Sequence, residues 1–548
     1  MMDTPHTPGS TEIDLQIMWN RLITVVGEQA QVLIRTAFSP IVRECEDISA
    51  GVFDLEGRML AQAVTGTPGH VNSMAESVRH FIRHFPLDTM REGDAYITND
   101  PWMGTGHLND FVVTTPAFHK GNLVALFSCT SHLMDIGGLG NGPEASDVFM
   151  EGLYLPMLRL LDQGQVNETL MAVIRANTRL PLDTEGDTYS IAACNDVGVR
   201  ALSAMMDEFG ITDLGPLADF IITRSRMAVE ERIAVLPRGE WTNTMRTDGY
   251  DHPVLLAASL TIAPDHVLVD YVGTSPAVRH GINVPLAYTK AYTVFGLKCI
   301  IAPDVPNNAG SLAPFRVTAP AGTILNALRP APVSARHVIG QMLPDVVFGC
   351  LYQPLPHRVP AEGTSCIWNI TVRGTWHDAG NTNLAYALAI TTNGGTGARP
   401  GLDGLSATAF PSGVHGTPVE IAEIQSPLIF WRKELRPGSG GDGTTRGGLG
   451  QIMEISNTEA APFELLAAFD RIANPPRGRA GGRNGLAGHV SLSSGRVLPG
   501  KGLQVIPAGE RLMVLTPGGA GLGDPAQRDP ALSETDRTQG LLADRAQA

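Results

Sequence analysis

Cysteine is scarce and scattered in this 548-residue chain. There are six, Cys45, Cys129, Cys194, Cys299, Cys350 and Cys366, with no C-x-x-C pair among them. That spacing argues against a disulfide framework or a zinc–thiolate site and suits buried free thiols in a reducing compartment. No apolar run approaches the roughly 18 residues of a membrane span, and Met1 to Glu12 lacks the charged-then-apolar order of a signal peptide. A cytoplasmic protein without a membrane partner is expected. Basic residues are outnumbered, 40 Lys and Arg against 55 Asp and Glu, giving a formal net charge of −15 and a pI near 5.4. Nucleic-acid binding needs clustered cations, so no nucleic-acid partner is expected. Two catalytic signatures are also absent. There is no G-x-x-x-x-G-K-S/T phosphate loop, so ATP is not expected to bind here by the standard motif. There is no H-E-x-x-H helix, so an ordinary metallopeptidase is excluded.

What is present is ordinary globular chemistry, with 43% apolar and 17% charged residues. Single cores stop growing near roughly 250–300 residues, so two or three domains are expected. Apolar residues recur at helical spacing from Ile13 to Ala37, and Pro40 ends the pattern. Short strands follow at Ser49–Phe53, Tyr96–Thr98, Phe111–Phe118 and Leu123–Ser128, with a helix at Glu76–Phe85 between them. A helix at Asp219–Ala234 stops before Leu236-Pro237-Arg238-Gly239. Beyond that punctuation the texture changes to short strands between Gly, Pro and Asn turns, as at Val267–Val272, Ile367–Val372 and Gln451–Ile455, with one helix at Tyr288–Ile301. The expected class is α+β. A mixed N-terminal domain over 1–236 precedes a strand-rich domain with glycine-rich loops over 237–530. A polar tail, 531–548, reads as a loosely held helix or a disordered segment.

The densest chemistry lies between Thr98 and Gly138. His107 and Asp110 sit just before one predicted strand. His132 and Asp135 sit just after the next, and His119-Lys120-Gly121-Asn122 makes the turn between them. A hairpin brings the start of its first strand beside the end of its second, so two H-x-x-D units meet at its open end. Imidazole and carboxylate are the ligands that Mn, Fe and Zn take when a coordination position is kept open. A single loop histidine more often caps a turn. Two converging H-x-x-D units favour a metal site. Upstream, the acids of Arg43-Glu44-Cys45-Glu46-Asp47 read by themselves as a solvated turn. His70, before a helix, reads as a helix cap or a site residue. The glycine-rich run from Gly438 to Gly450 could hold an anion on its backbone N–H groups, but a turn or interface loop is at least as good a reading.

These residues carry a resemblance. Asn99-Asp100-Pro101 with Gly104, His107 and Asp110 is similar to the N-D-P…G-x-H-x-x-D element of the hydantoinase B/oxoprolinase family. His132-x-x-Asp135-Ile136-Gly137-Gly138 resembles its H-x-x-D-I-G-G element, and Asn177-Thr178-Arg179 its N-x-R segment. Ser439-Gly440-Gly441-x-Gly443 through Arg446-Gly447-Gly448-Leu449-Gly450 resembles its S-G-G-x-G…R-G-G-x-G signature. Pro517 to Pro525 resembles its C-terminal glycine motif. The resemblance runs from about Asp14 to Pro525. One departure falls after Gly138, where Leu139 to Ser146 replaces the family's turn toward P-G-S. That loop is expected to border the substrate.

The resemblance implies a division of labour. A hydantoinase A-type partner subunit with an actin-like ATPase fold would bind ATP–Mg and phosphorylate the substrate. The B-type chain would hold a divalent metal (Mn, Zn or Fe) on His107, Asp110 and His132. Asp47 matches the aspartate of the family's E-x-x-D-x-S element and becomes an implied fourth ligand. The leading expectation is ATP-driven hydrolysis of a cyclic amide such as a hydantoin, 5-oxoproline or a lactam, with the metal activating water. Asp135 is expected to orient His132 or accept a proton, and His70 is its companion candidate. The alternatives are an ATP-dependent ketone carboxylase subunit of the acetone or acetophenone type, and a non-catalytic scaffold for the ATPase. Chain length suits the hydantoinase-like subunits better than the longer acetone carboxylase one.

Overall fold

The computed structural model describes residues 11–542 apart from Thr65, 378–382 and Ala460. Helix α1 (Glu12–Thr36) starts on Thr11, whose hydroxyl accepts from the Asp14 N–H, and buries the stripe Met18, Leu22, Val25, Val26 and Leu33. A turn of helix, α2 (Pro40–Arg43), leads to β1 (Ile48–Phe53), β2 (Met59–Gln62) and then α3 (Pro68–His84). The helix expected from Glu76 therefore begins eight residues earlier. Pro68 fills its first turn, where the missing N–H costs nothing, and His70 lies inside the helix rather than before it.

Strand β3 (Ala95–Thr98) precedes the hairpin of β4 (Asp110–His119) and β5 (Asn122–His132). Its turn residues Lys120 and Gly121 both have positive φ, 50° and 81°, the backbone that matches hairpin twist. The register sets Asp110 directly opposite His132. With β6 (Leu158–Asp162) and β7 (Gln165–Val166) these strands form a seven-stranded sheet, ordered β2-β1-β5-β4-β3-β6-β7. After α4 (Glu168–Asn177), helix α5 (Pro181–Phe209) packs with α1 on the sheet. At 29 residues it was not expected from sequence. It buries Thr184, Asp187, Thr188, Ser190 and Asn195 alongside Ile191 and Leu202, so its faces are not sorted by polarity. Helix α6 (Gly215–Ala234) closes this half.

A second sheet joins β8 (Gly239–Thr247), β9 (Val254–Ile262), β10 (Val267–Asp270) and β11 (Phe315–Thr318) in the order β11-β10-β9-β8. Helix α7 (Leu286–Ile301) packs on α3 of the first half. It is not alone: α8 (Ala309–Leu312), α9 (His337–Gly340) and α10 (Leu343–Tyr352) follow. The run in α10 is apolar nearly all round because α7, β8 and β9 enclose it, which hides helical periodicity. Two more antiparallel sheets complete the chain. One orders β13 (Asn383–Thr392), β12 (Trp368–His377), β16 (Phe463–Ala468) and β18 (Lys501–Ile506). The other orders β14 (Leu428–Leu435), β15 (Gln451–Asn457), β19 (Leu512–Leu515) and β17 (His489–Leu492), with α11 (Val419–Gln425) beside β14.

The glycine loops form a layer of their own. Gly448 N–H donates to Thr396 O, Gly519 N–H to Gly448 O, and Gly441 N–H to Gly519 O. A Cβ on Gly519 would stand 1.8 Å from Thr396 O. Glycine is there so that backbones can touch, and these N–H groups are spent on carbonyls rather than free to cradle an anion. The tail is anchored rather than loose as far as Leu541. Helix α12 (Pro530–Thr538) places Asp536 against Arg528 at 2.7 Å and Arg446 at 3.3 Å, and Leu541 O accepts from Gly438 N–H. The last residues, 543–548, lie outside the described residues. All six cysteines are free, and five are buried. Among the described residues no helix is long and apolar enough to cross a membrane.

Candidate metal centre

The hairpin supplies the first two groups. Asp110 opens β4 and His132 closes β5, and the register brings His132 Nδ1 within 3.1 Å of Asp110 Oδ1. The loop before β4 turns on Gly104, whose N–H donates to Asp100 O at 2.7 Å, and carries His107 back so that its Nε2 lies 2.7 Å from the same oxygen. One ligand atom from each of His107, Asp110 and His132 lies within 4.8 Å of the others, and all three side chains are buried. The group could hold a metal ion.

The other side of Asp110 faces the rest of the fold. Its Oδ2 meets Thr105 Oγ1 at 2.6 Å, His70 Nε2 at 2.9 Å and Arg336 Nη2 at 2.6 Å. Arg336 is itself buried. It also donates from Nε to Thr105 O at 2.7 Å and lies 4.0 Å from the Tyr288 ring centroid. Gly106, at φ +99°, makes room for it, since a Cβ there would stand 2.7 Å from the Arg336 side chain. Burial works against a charge on Asp110, but the cationic partners on its far side, His70 and Arg336, help hold its carboxyl well below the usual carboxylate range.

The proton on His107 can be placed. Its Nδ1 is 2.8 Å from Ser334 O, and a carbonyl can only accept, so Nδ1 carries the hydrogen. Burial, with Arg336 close by, pushes this imidazole down to about 4, so it is neutral near pH 7. Its Nε2 lone pair then points at a carboxylate oxygen 2.7 Å away. Two lone pairs at that distance repel unless a cation lies between or beside them. A set of two imidazole nitrogens and one carboxylate suits a divalent transition ion. The residues present therefore fit the metal that the sequence led one to expect.

Asp47 and His70 border the same cavity of about 30 Å3, which His107, His132, Asn141, Tyr288, Arg336 and His337 also line. Glu46, in a left-handed conformation at φ 55°, turns the chain so that Asp47 O accepts from His132 N–H at 3.2 Å. The Asp47 carboxylate accepts from Thr67 Oγ1 at 2.7 Å and lies 3.5 Å from His70 Nδ1, and so stands beside the three-residue group rather than within it. Burial disfavours a charge on His70, but the carboxylates of Asp110 and Asp47 outweigh it and raise its affinity for a proton.

Asp135 is placed differently. Its carboxylate accepts from Gly137 N–H at 3.1 Å, from the Arg179 and Leu180 N–H groups, and from Arg179 Nη1 at 2.8 Å. It anchors the N-terminus of α5 to the loop after β5, where the helix dipole favours an anion. Asn141 from that loop donates to His132 Nε2 at 3.3 Å.

A model of the family described as hydantoinase B/oxoprolinase matches residues 11–525. The chain belongs to the hydantoinase B/oxoprolinase family. Caprolactamase subunit beta of Pseudomonas jessenii is 28% identical over 97% of this chain and 94% of its own length. The crystal structure of the ATP-dependent caprolactamase from Pseudomonas jessenii superposes with a TM-score of 0.88 at 27% identity, covering 98% of this chain and 95% of that one. A nucleotide-free acetone carboxylase structure superposes with a TM-score of 0.86 at 18% identity, covering 99% of this chain and 80% of that one, which shows the fold alone. These matches bear out the family resemblance and the mixed α+β class.

Sequence reading missed the second half of this family member's centre. Ser334, Arg336 and His337 come from more than 200 positions beyond the hairpin. The available signal was Arg336 next to Ala335 and before Val338-Ile339, because a charge among apolar residues is seldom buried without a partner. Burial and the charge of Arg336 hold His337 well below the usual imidazole range. Glu151 was also missed. Its Oε1 accepts from the N–H groups of Val333 at 2.5 Å and Ser334 at 2.8 Å, and so fixes the carbonyl that sets the His107 tautomer.

Proposed function

We propose that this chain is the metal-binding subunit of an ATP-dependent hydrolase of cyclic amides, working in a hetero-oligomer with a hydantoinase A-type ATPase subunit. The observation that carries the reading is the neutral His107 whose lone pair faces the buried Asp110 carboxylate. That arrangement calls for a cation, and it sits in a family whose relatives include a caprolactamase subunit. Asp110, His107 and His132 would hold a divalent ion, with Asp47 as the fourth ligand. When bound, such an ion supplies Lewis acidity and lowers the pKa of water.

An unstrained amide is a poor electrophile. In this proposal the partner holds ATP–Mg and phosphorylates the amide oxygen, releasing ADP. Water adds at the activated carbon, the C–N bond breaks as the ring nitrogen takes a proton, and a second water cleaves the resulting acyl phosphate to carboxylate and inorganic phosphate. This chain's residues set that step up. Ser334 keeps the His107 proton on Nδ1, Arg336 holds Asp110 ionised and in place, and Asn141 fixes the His132 ring. His70 holds a proton between Asp110 and Asp47 that can pass to the departing ring nitrogen. Asp135 acts as a positioning residue for the loop that carries Asn141.

The test is reconstitution. The chain is copurified with its ATPase partner, assayed for divalent metal, and offered a lactam or hydantoin with ATP, or acetone with bicarbonate and ATP. The expected result is stoichiometric metal, ATP-dependent ring opening, and loss of both in His107→Ala. No metal in the wild type, or full activity in His107→Ala, overturns the reading. Carboxylation of the ketone without ring opening would replace it with a carboxylase.

A further inference from the structure

A second cavity, of about 450 Å3, lies beside the metal centre. That is within the size of sites that enclose small organic ligands, about 300–1,000 Å3. Asn141 borders both spaces, and its amide is 3.3 Å from His132 Nε2. A molecule in the larger cavity is therefore one side chain from the candidate ligands.

The walls are small and apolar. On β12, β13 and β16 alternate residues point to opposite faces. Val372, Leu388 and Leu465 pack into the core, which leaves Thr371, Ala385, Ala387 and Leu466 toward the cavity. Met134 and Leu180 line the other side.

The charges at its border are spent on each other. Arg179 pairs with Asp135 at 2.8 Å, and Arg373 pairs with Glu464 at 2.5 Å. Both arginines also donate to backbone, Arg179 to Gly138 O and Arg373 to Leu139 O at 3.2 Å. They staple the loop that presents Asn141. Among the described residues each charged side chain on the cavity border already has a partner of opposite sign, so a ligand's carboxylate would have to compete with Asp135 or Glu464 for an arginine.

We propose that this cavity receives the uncharged apolar body of the substrate, with the scissile amide reaching past Asn141 to the metal centre. The proposal rests on the cyclic-amide reading and narrows it to neutral rings carrying alkyl or aryl groups rather than rings carrying a free carboxylate.

The test compares hydantoin, 5-phenylhydantoin and hydantoin-5-acetic acid with the reconstituted complex and ATP. The expected order of kcat/KM is phenyl above unsubstituted by about tenfold or more, with the acid below both. Ala387→Phe, which fills the cavity from an edge of β13, should bring the phenyl-to-hydantoin ratio to near one while metal content and copurification stay unchanged. A wild-type ratio near one, a preference for the acid, or an unchanged ratio in Ala387→Phe overturns the proposal. Binding of 5-phenylhydantoin to the full-length chain, read by saturation-transfer NMR, separates this idea from the catalytic one. Binding that Ala387→Phe abolishes supports the cavity even if no ring is opened. Absence of binding, or binding that Ala387→Phe leaves intact, refutes it whatever the complex hydrolyses.

Discussion

Replacing Glu151 by Gln should flatten the pH dependence of stability. Glu151 is 1% exposed, and its Oε2 has no hydrogen-bond partner among the described residues. Burial raises its carboxyl from 4.5 to about 8, against the opposing pull of the Ser334 and Val333 N–H groups. The folded state therefore binds this proton more tightly than the unfolded state. The stabilisation from the protonated form is complete below about pH 4.5 and is lost as pH rises through about 8. At about 1.4 kcal/mol for each tenfold change in proton affinity, the full span is worth about 5 kcal/mol. Glutamine keeps the Oε1 acceptor for Val333 and Ser334 and has no proton to lose. Denaturant unfolding of both proteins in EDTA at pH 5, 7 and 8.5 isolates the effect, because every other titrating group is common to the pair. Near pH 5 the two should agree within about 1 kcal/mol, and by pH 8.5 Glu151→Gln should be the more stable by several kcal/mol. Parallel curves across that range would show that folding does not raise the proton affinity of Glu151.

Gly106→Ala should damage the centre through Arg336, because its Cβ would collide with that side chain at a φ that disfavours any side chain. We expect about 1–3 kcal/mol of lost stability together with reduced metal content by elemental analysis, and a variant with full metal and an unchanged unfolding midpoint would contradict this. Asp135→Ala removes the acceptor at the N-terminus of α5, so a loss of about 0.5–2 kcal/mol is expected with metal content retained. The reverse outcome, metal lost and stability kept, would put Asp135 at the centre itself. Glu151→Ala leaves the Ser334 carbonyl unsupported, and outer partners of this kind are typically worth about 10–100-fold in metal affinity. Competition with a fluorescent chelator reads that loss, and an unchanged affinity would separate Glu151 from His107.

The contrast between what the sequence disclosed and what it hid follows from range. The hairpin was readable because its information is local. Lys120-Gly121 sets the turn, the turn sets the register, and the register places Asp110 against His132. The helix α1 was readable because one of its faces meets the core and the other does not. Helix α5 was not, because packing against both α1 and the sheet lets Thr, Ser and Asn occupy buried positions where hydrogen bonds rather than apolar surface satisfy them: Asn195 binds Val113 O and Gln29, and Thr188 binds Thr184 O. The same logic governs the site. His107, Asp110 and His132 lie within 26 positions of one another, so spacing exposed them. Ser334 and Arg336 reach Asp110 and His107 only because α7 packs on α3 and brings the chain around Tyr288 over the hairpin mouth. Nothing in their own neighbourhood encodes that approach. Gly106 does carry a trace of it. Its φ of +99° already favours glycine, and the Arg336 side chain 230 residues away leaves no room for a Cβ there.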